Sequence, residues 1–504
     1  MRNLLKFLVV DSDWRMMRQK RLYMENSMKF DWKMVLPVIV GLVIWVIPVP
    51  EGLQPQAWSF FAIFAAVIVG LILEPIPAAA VGLLGVTLAA SLQIVPHKFG
   101  VEITPGTSLN WALSGFSNGT VWLIFAAFMF AKGYDNTGLG KRIGLLLIKY
   151  LGKRTLGMGY AISLADLFLA PFTPSNTARS GGTIYPIARN IPMLYGSTPD
   201  NDPRKVGGYL MWTALAATCV TSSMFFTALA PNLLALSMVN EVAGVNITWT
   251  EWFMGFLPVG VILFLATPLI AYIIYPPTQK VSEEAPLWAG RELSKLGPIK
   301  GREILMIGLV LFALVMWMVG SAYLSGTMVA LVVLSLMVLT GILSWDDIIT
   351  NKQAWNVLVW FATLVTLAGG LEKTGFLNWF AANVALMLEG LPVMTIIISL
   401  VALFFLSHYL FASITAHVTA LLPVFLAAAV AVPDMPIKGL AMLLCFTLGI
   451  MGIITPFATG PSPIYYGSGY ISRKAFWVLG LVFGLIYLGV LLGVGVPYVL
   501  GIHG

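Results

Sequence analysis

Residues 171–186 read PFTPSNTARSGGTIYP, in which Ser175, Asn176 and Thr177 set two hydroxyls and an amide side by side, with Arg179 just beyond. Such groups give neutral hydrogen bonds of adjustable direction and one fixed cation, a set suited to holding a carboxylate rather than to breaking bonds. A later stretch, FASITAHVTALLP at 411–423, repeats the arrangement with Ser413, Thr415 and His417. Arg179 follows Ser175, and His417 follows Ser413, by four residues, so a cation or potential cation recurs about one helical turn after each serine. Each member also has an ordinary explanation. The Ser-Asn-Thr run can simply cap a hairpin arm, Arg179 can pair with Asp166 as a structural ion pair, and His417 can be a neutral core histidine.

The elements that position these residues are membrane elements. Of 504 residues, 59% are hydrophobic and only 10% charged, against roughly 25% charged in a soluble domain. The mean hydropathy is +0.88. Apolar runs of about 20 residues suffice to span a bilayer roughly 30 Å thick, and the chain holds on the order of eleven such crossings. No alternating pattern suits a β-barrel, so the expected class is an all-α polytopic membrane protein. Cys219 and Cys445 sit inside apolar runs and indicate no disulfide framework. The net charge of +7 resides in loops beside spans, where topology accounts for it, and carries no argument for nucleic acid.

Residues 156–188 are interrupted by Pro171, Pro174, Gly181, Gly182 and Pro186. Lipid leaves freed backbone groups without partners, at several kcal/mol each, so the break must face protein or a water-filled cavity. Lys141, Arg142, Lys149, Lys153 and Arg154 precede the segment, and Arg189, Arg204 and Lys205 follow it. By the positive-inside rule both flanks are cytoplasmic, which makes the segment a re-entrant helical hairpin. A second interrupted segment at 393–423 is then approached from the outside. Thr137-Gly138 corresponds to Thr374-Gly375, Ser175-Asn176-Thr177 to Ser413-Ile414-Thr415, and the breaks TALAPNLLA at 227–235 and TPFATGPSPIYYGSGY at 455–470 follow in the same order. This order predicts an inverted repeat, with a ligand site near the bilayer midplane where broken helices meet.

The resulting map has an N-terminal cytoplasmic tail at 1–33, for which Met17, Met24 and Met28 offer alternative starts. The first repeat comprises scaffold 34–132, an interfacial amphipathic helix at 133–154, and a transport part at 155–275 with its hairpin from the cytoplasm. A cytoplasmic linker covers 276–302. The second repeat comprises scaffold 303–371, an interfacial arm at 372–392, and a transport part at 393–504 with its hairpin from outside. The N-terminus is expected in the cytoplasm and the C-terminus outside, in a multi-pass protein of the cell (inner) membrane.

These motifs resemble those of the divalent anion/sodium symporter family over about residues 35–500. SNTARSGGTIYP, FASITAHVTALLP and ATGPSPIYYGSGY are most similar to its exchanger branch, which includes bacterial di- and tricarboxylate antiporters and plastid oxoglutarate–malate translocators. The resemblance implies that Ser175, Asn176, Thr177, Ser413 and Thr415 bind a carboxylate between opposed hairpin tips. It implies that Thr459 also contacts substrate, with Ala458 and Pro461 shaping the pocket. Ala230, Pro231 and Asn232 stand at the matching place of the first break, although Ala230 lacks the hydroxyl of sodium-coupled relatives. It further implies a homodimer whose hairpin domain moves like an elevator against a fixed scaffold.

Within that frame, Arg179 and a protonated His417 are expected to neutralise a dianion in place of travelling metal ions, so that an empty site returns slowly and exchange is obligatory. Ile414, where sodium-coupled members carry Asn, removes a hard-cation ligand. The expected activity is exchange of a C4-dicarboxylate (succinate, malate or tartrate type) for another di- or tricarboxylate such as citrate or 2-oxoglutarate. No cofactor is expected; sodium enters only under the alternative, a sodium-coupled symporter. An enzyme is not expected, since no nucleophile with a base and no metal cluster lies near the motifs. The glycine-rich GSGY and SGG follow no strand and lead to no P-loop lysine.

Overall fold

The computed structural model describes residues 32–96, 102–320, 322–388 and 390–503, so the expected tail at 1–33 falls almost wholly outside the described residues. Among them the chain is helical, with no strand beyond an isolated bridge between Arg154 and Val281. Among the described residues, seven helices are long and apolar enough to cross a membrane, or eight if the bent pair Pro105–Ser117 and Gly119–Thr137 is one span. The eleven or so crossings expected from the sequence include shorter apolar helices as well. Ala78–Ser91 and Gly326–Leu339 have 14 residues each, about 21 Å at 1.5 Å per residue, short of a roughly 30 Å core.

The two halves repeat one plan. Leu139–Leu151 and Phe376–Leu388 are both 13 residues long, and each follows a glycine with positive φ, Gly138 at 77° and Gly375 at 84°. Only a residue without a Cβ adopts that conformation without strain, so the glycines stop one helix and start the next. Thr155–Leu169 and Val393–Ser407 each have 15 residues and each runs into a three-residue 3₁₀ turn, Ala170–Phe172 or His408–Leu410. Each half then returns through a second arm and ends on a broken helix: Gly207–Met224, Phe226–Ala228 and Ala230–Ala243, or Ile437–Ile450, Met451–Ile453 and Pro461–Gly467.

Lipid is as apolar as leucine, so close packing and satisfied polar groups, rather than exclusion from water, hold such a bundle together. All 18 residues of Gly207–Met224 are buried. Its Trp212 packs edge-on against Phe476 and Phe483 of the other half, at 5.2 and 5.4 Å between ring centres. Trp252 meets Phe446 in the same way at 5.2 Å. Gly115 lets its helix end lie against Ala362, where a Cβ would come within 1.9 Å of the carbonyl oxygen, and its N–H donates to the Thr366 hydroxyl at 3.0 Å.

Candidate functional site

Both motif serines cap the helix that follows them. The Ala178 N–H donates to Ser175 Oγ at 3.1 Å, and the Ala416 N–H donates to Ser413 Oγ at 3.4 Å. The backbone of each residue four positions on closes the first turn, Arg179 N–H to Ser175 O at 2.9 Å and His417 N–H to Ser413 O at 3.0 Å. Capping and ligand binding are compatible, because a hydroxyl that accepts still has its own proton to donate. Ser175 Oγ also accepts from the Gln353 amide at 3.4 Å, a contact from the helix Lys352–Lys373.

Beyond the caps the two arms differ. Thr177–Ile184 is a π-helix and Ile414–Val430 a regular α-helix. π-Turns are rare and gather at functional sites.

The second break brings the halves together. Asn176 Nδ2 donates to Thr459 Oγ1 at 2.8 Å, with both residues buried. Thr177 lies against Gly460, whose missing side chain makes the room: a Cβ there would sit 1.8 Å from Thr177 Oγ1. Ser180 Oγ and the Tyr465 hydroxyl are 2.9 Å apart, and Tyr465 also donates to the Ser180 carbonyl at 3.2 Å. From the second hairpin, His408 Nε2 bonds the Ala458 carbonyl at 2.8 Å. The first tip and the second turn thus converge on two adjacent residues, Ala458 and Thr459. Among the described residues no hydrogen bond runs directly from Ser175–Thr177 to the half-buried Ser413 or the buried Thr415 on the second tip, and Pro461 is buried at the first position of the short helix beyond the break.

Arg179 does not face open space. It is 1% exposed, and all five of its donors are engaged. Nε bonds Asp166 Oδ2 at 3.1 Å, Nη1 bonds the Thr173 and Ala228 carbonyls at 2.9 and 2.8 Å, and Nη2 reaches Ser222 Oγ at 3.0 Å, Thr218 at 3.3 Å and Thr221 at 3.4 Å. Thr221 also donates to Asp166. The physical reason is the break itself. Chain interruptions at Thr173 and Ala228 strand two carbonyls where lipid offers no donor, and the guanidinium supplies both. Of the two roles the sequence left open for Arg179, substrate contact and an ion pair with Asp166, this geometry forms the ion pair.

His417 is likewise turned inward. Its ring packs against Phe404, Phe411 and His408, with centres 4.5, 5.0 and 5.1 Å away, and its Nε2 lies 3.0 Å from Ser407 Oγ. No carboxylate accompanies it among the described residues, so this geometry does not hold it as a fixed cation. In the first break Asn232 donates to the Ser222 and Phe225 carbonyls at 2.7 and 3.3 Å, while its Oδ1 is buried without a partner among the described residues. The sequence reading gave no substrate-site role to His408, Gly460, Tyr465 or Gln353. A lone histidine at the hairpin turn was the available signal for the first; the other three are read only from contacts across the halves. No group of three metal-ligating side chains occurs among the described residues.

A family model of the sodium:sulfate symporter transmembrane region matches residues 28–502. The chain is 47% identical over 477 residues to a citrate/succinate antiporter of Escherichia coli (strain K12), covering 92% of this chain and 97% of that protein. It is 47% identical over 472 residues to an L-tartrate/succinate antiporter of Shigella sonnei (strain Ss046), with the same coverage of 92% and 97%. In shape it is similar to the YdaH transporter of Alcanivorax borkumensis, with a TM-score of 0.53 and 16% identity over 84% of this chain and 96% of that one. It is also similar to MtrF of Neisseria gonorrhoeae, at 0.51 and 12%, over 92% and 98%. These last two likenesses bear on the fold alone.

Proposed function

Since the chain belongs to the sodium:sulfate symporter transmembrane family, a family of multi-pass membrane transporters, we propose that it exchanges a C4-dicarboxylate for another di- or tricarboxylate. Relatives 47% identical over nearly their whole length are antiporters of citrate or L-tartrate against succinate, which supports exchange of this substrate class. The observation that carries the reading is the junction at the second break, where Asn176 of one half bonds Thr459 of the other beside the serine-capped start of the first arm. Hydroxyls, an amide and the positive end of the first arm meet there, a set that fits carboxylates, and the Ser413-capped arm is taken to complete it.

Ser175, Asn176, Thr177, Ser413, Thr415, Thr459 and Pro461 form the proposed contact set. Arg179 and His417 support it from behind rather than touching substrate. The Arg179–Asp166 pair is already neutral, so the barrier to an empty return lies in carrying unfilled polar groups into the membrane rather than in fixed charge. Ile414 gives the second tip no hard-cation ligand at that position, which favours exchange over sodium coupling.

We further propose an elevator. Residues 155–275 and 393–504 move against a scaffold of 34–132 and 303–371 in a homodimer, as an inverted repeat with the N-terminus in the cytoplasm and the C-terminus outside. The matched order of elements in the two halves supports this. The test is uptake of labelled succinate by reconstituted vesicles. Uptake is expected only after preloading with a dicarboxylate and irrespective of a sodium gradient; sodium-driven uptake into empty vesicles overturns exchange in favour of symport.

A further inference from the structure

The second hairpin carries two fully buried histidines whose protonation can be read from their partners. The Ala458 carbonyl only accepts, so His408 holds its proton on Nε2. We assign the one proton of the Ser407 hydroxyl to the Phe404 carbonyl, 2.9 Å away, an assignment in which Ser407 accepts from His417 Nε2. Both rings therefore present a bare Nδ1 lone pair. Both Nδ1 atoms are buried with no partner among the described residues, and the ring centres are 5.1 Å apart, edge to face. Buried acceptors left without a donor are uncommon and call for a ligand.

The surroundings narrow that ligand. Phe404 and Phe411 wall the pair. Of the ionisable groups on the helices packed around it, Glu241 and Lys373 line a separate cavity beside Trp111, Lys438 pairs with Glu251, and Tyr465 bonds Ser180. Lys352, Glu372 and Glu74 sit at or near helix ends, and Cys445 is buried on Ile437–Ile450. None makes a hydrogen bond or ion pair with either ring. Two nitrogens alone are too few for a tetrahedral metal site.

We propose that the His408–His417 pair binds a single proton when a trivalent acid occupies the site, so that a tricarboxylate crosses with a proton and a dicarboxylate crosses without one. This rests on the exchanger reading above. The proton comes from water on loading, forms an N–H bond at one Nδ1, and returns to water on unloading. The second ring stays neutral, because two cations this close repel. The link to substrate is short. His408 holds the carbonyl of Ala458, whose neighbour Thr459 holds Asn176. A buried cation is costly unless an anion lies close by, and the third carboxylate supplies one that a dicarboxylate does not. Each crossing then carries two net negative charges, whichever acid is aboard.

The experiment uses the full chain in vesicles preloaded with succinate, with a pH dye in the outer solution and labelled succinate to count turnovers. Citrate entering against succinate is expected to alkalinise the outside by about one proton per exchange, and succinate entering against succinate by none. His408→Gln and His417→Gln keep a donor near the Nε2 position and remove the basic nitrogen. In either variant, citrate-for-succinate exchange is expected to lose its proton movement and to slow at least about tenfold relative to succinate-for-succinate exchange. Normal exchange of both acids without alkalinisation, failure of citrate to exchange at all, or unchanged proton movement in both variants overturns the proton site alone. Absence of any succinate exchange overturns the exchanger reading and the site with it.

Discussion

The two hairpins share lengths, turns and serine caps, yet handle charge in opposite ways. In the first, Arg179 is ionised, paired with Asp166 and bonded to the carbonyls of Thr173 and Ala228. In the second, the same backbone position holds His417 among phenylalanines, and the stranded carbonyl of Ala458 is met from the turn by His408. One plan thus solves the break problem twice, by a permanent cation with its own counter-ion and by a neutral donor. The lesson is that matching positions in a duplicated fold need not keep matching roles. The counterpart of Arg179 in function is His408, which is nowhere near it in register.

The comparison is broken most severely at Arg179. Arg179→Ala leaves Asp166 buried without a cation and two carbonyls without donors, so folded protein is expected to lose on the order of 3–5 kcal/mol, read as a fall in melting temperature in detergent. His417→Ala is expected to cost about 2 kcal/mol or less, since a neutral ring is replaced by a void. Equal costs would remove the distinction between the hairpins. Next in size, Gly460→Ala forces a Cβ into Thr177 Oγ1 and is expected to cost roughly 1–3 kcal/mol and to slow succinate counterflow.

A smaller effect sharpens the contrast between π- and α-helical arms. At Gly182 an added Cβ meets nothing within 4 Å, so Gly182→Ala should hold stability to within about 1 kcal/mol. A clear loss of counterflow at unchanged melting temperature would show that the π-turn must flex. Least of all, Gln353→Ala removes one 3.4 Å contact to Ser175 and is expected to change exchange rates by no more than a few-fold.

Much of this was legible in the sequence. Pro171, Pro174 and Pro186 announced the interruptions of the first segment, and Gly138 and Gly375, paired by their sequence context, both take positive φ. The capping role of Ser175 followed from its residue type. What could not be read was direction. Spacing placed Arg179 and His417 one turn past the serines, but the stranded carbonyls that capture the guanidinium belong to Thr173 and to Ala228, 49 residues away. The contacts Asn176–Thr459, Thr177–Gly460 and Ser180–Tyr465 are longer-range still, 283 and 285 residues apart for the two that are hydrogen-bonded. The sequence count of about eleven crossings included apolar helices of 14 residues that fall short of a full span by length.

The π-helix at Thr177–Ile184 has one further consequence. A turn of this kind stores a surplus residue, and passing that surplus from one end of the segment to the other swivels the intervening side chains by roughly 100° and advances them about 1.5 Å, with no need to unwind the arm. The first hairpin therefore contains a gear tooth that its twin, wound as a plain α-helix, does not have.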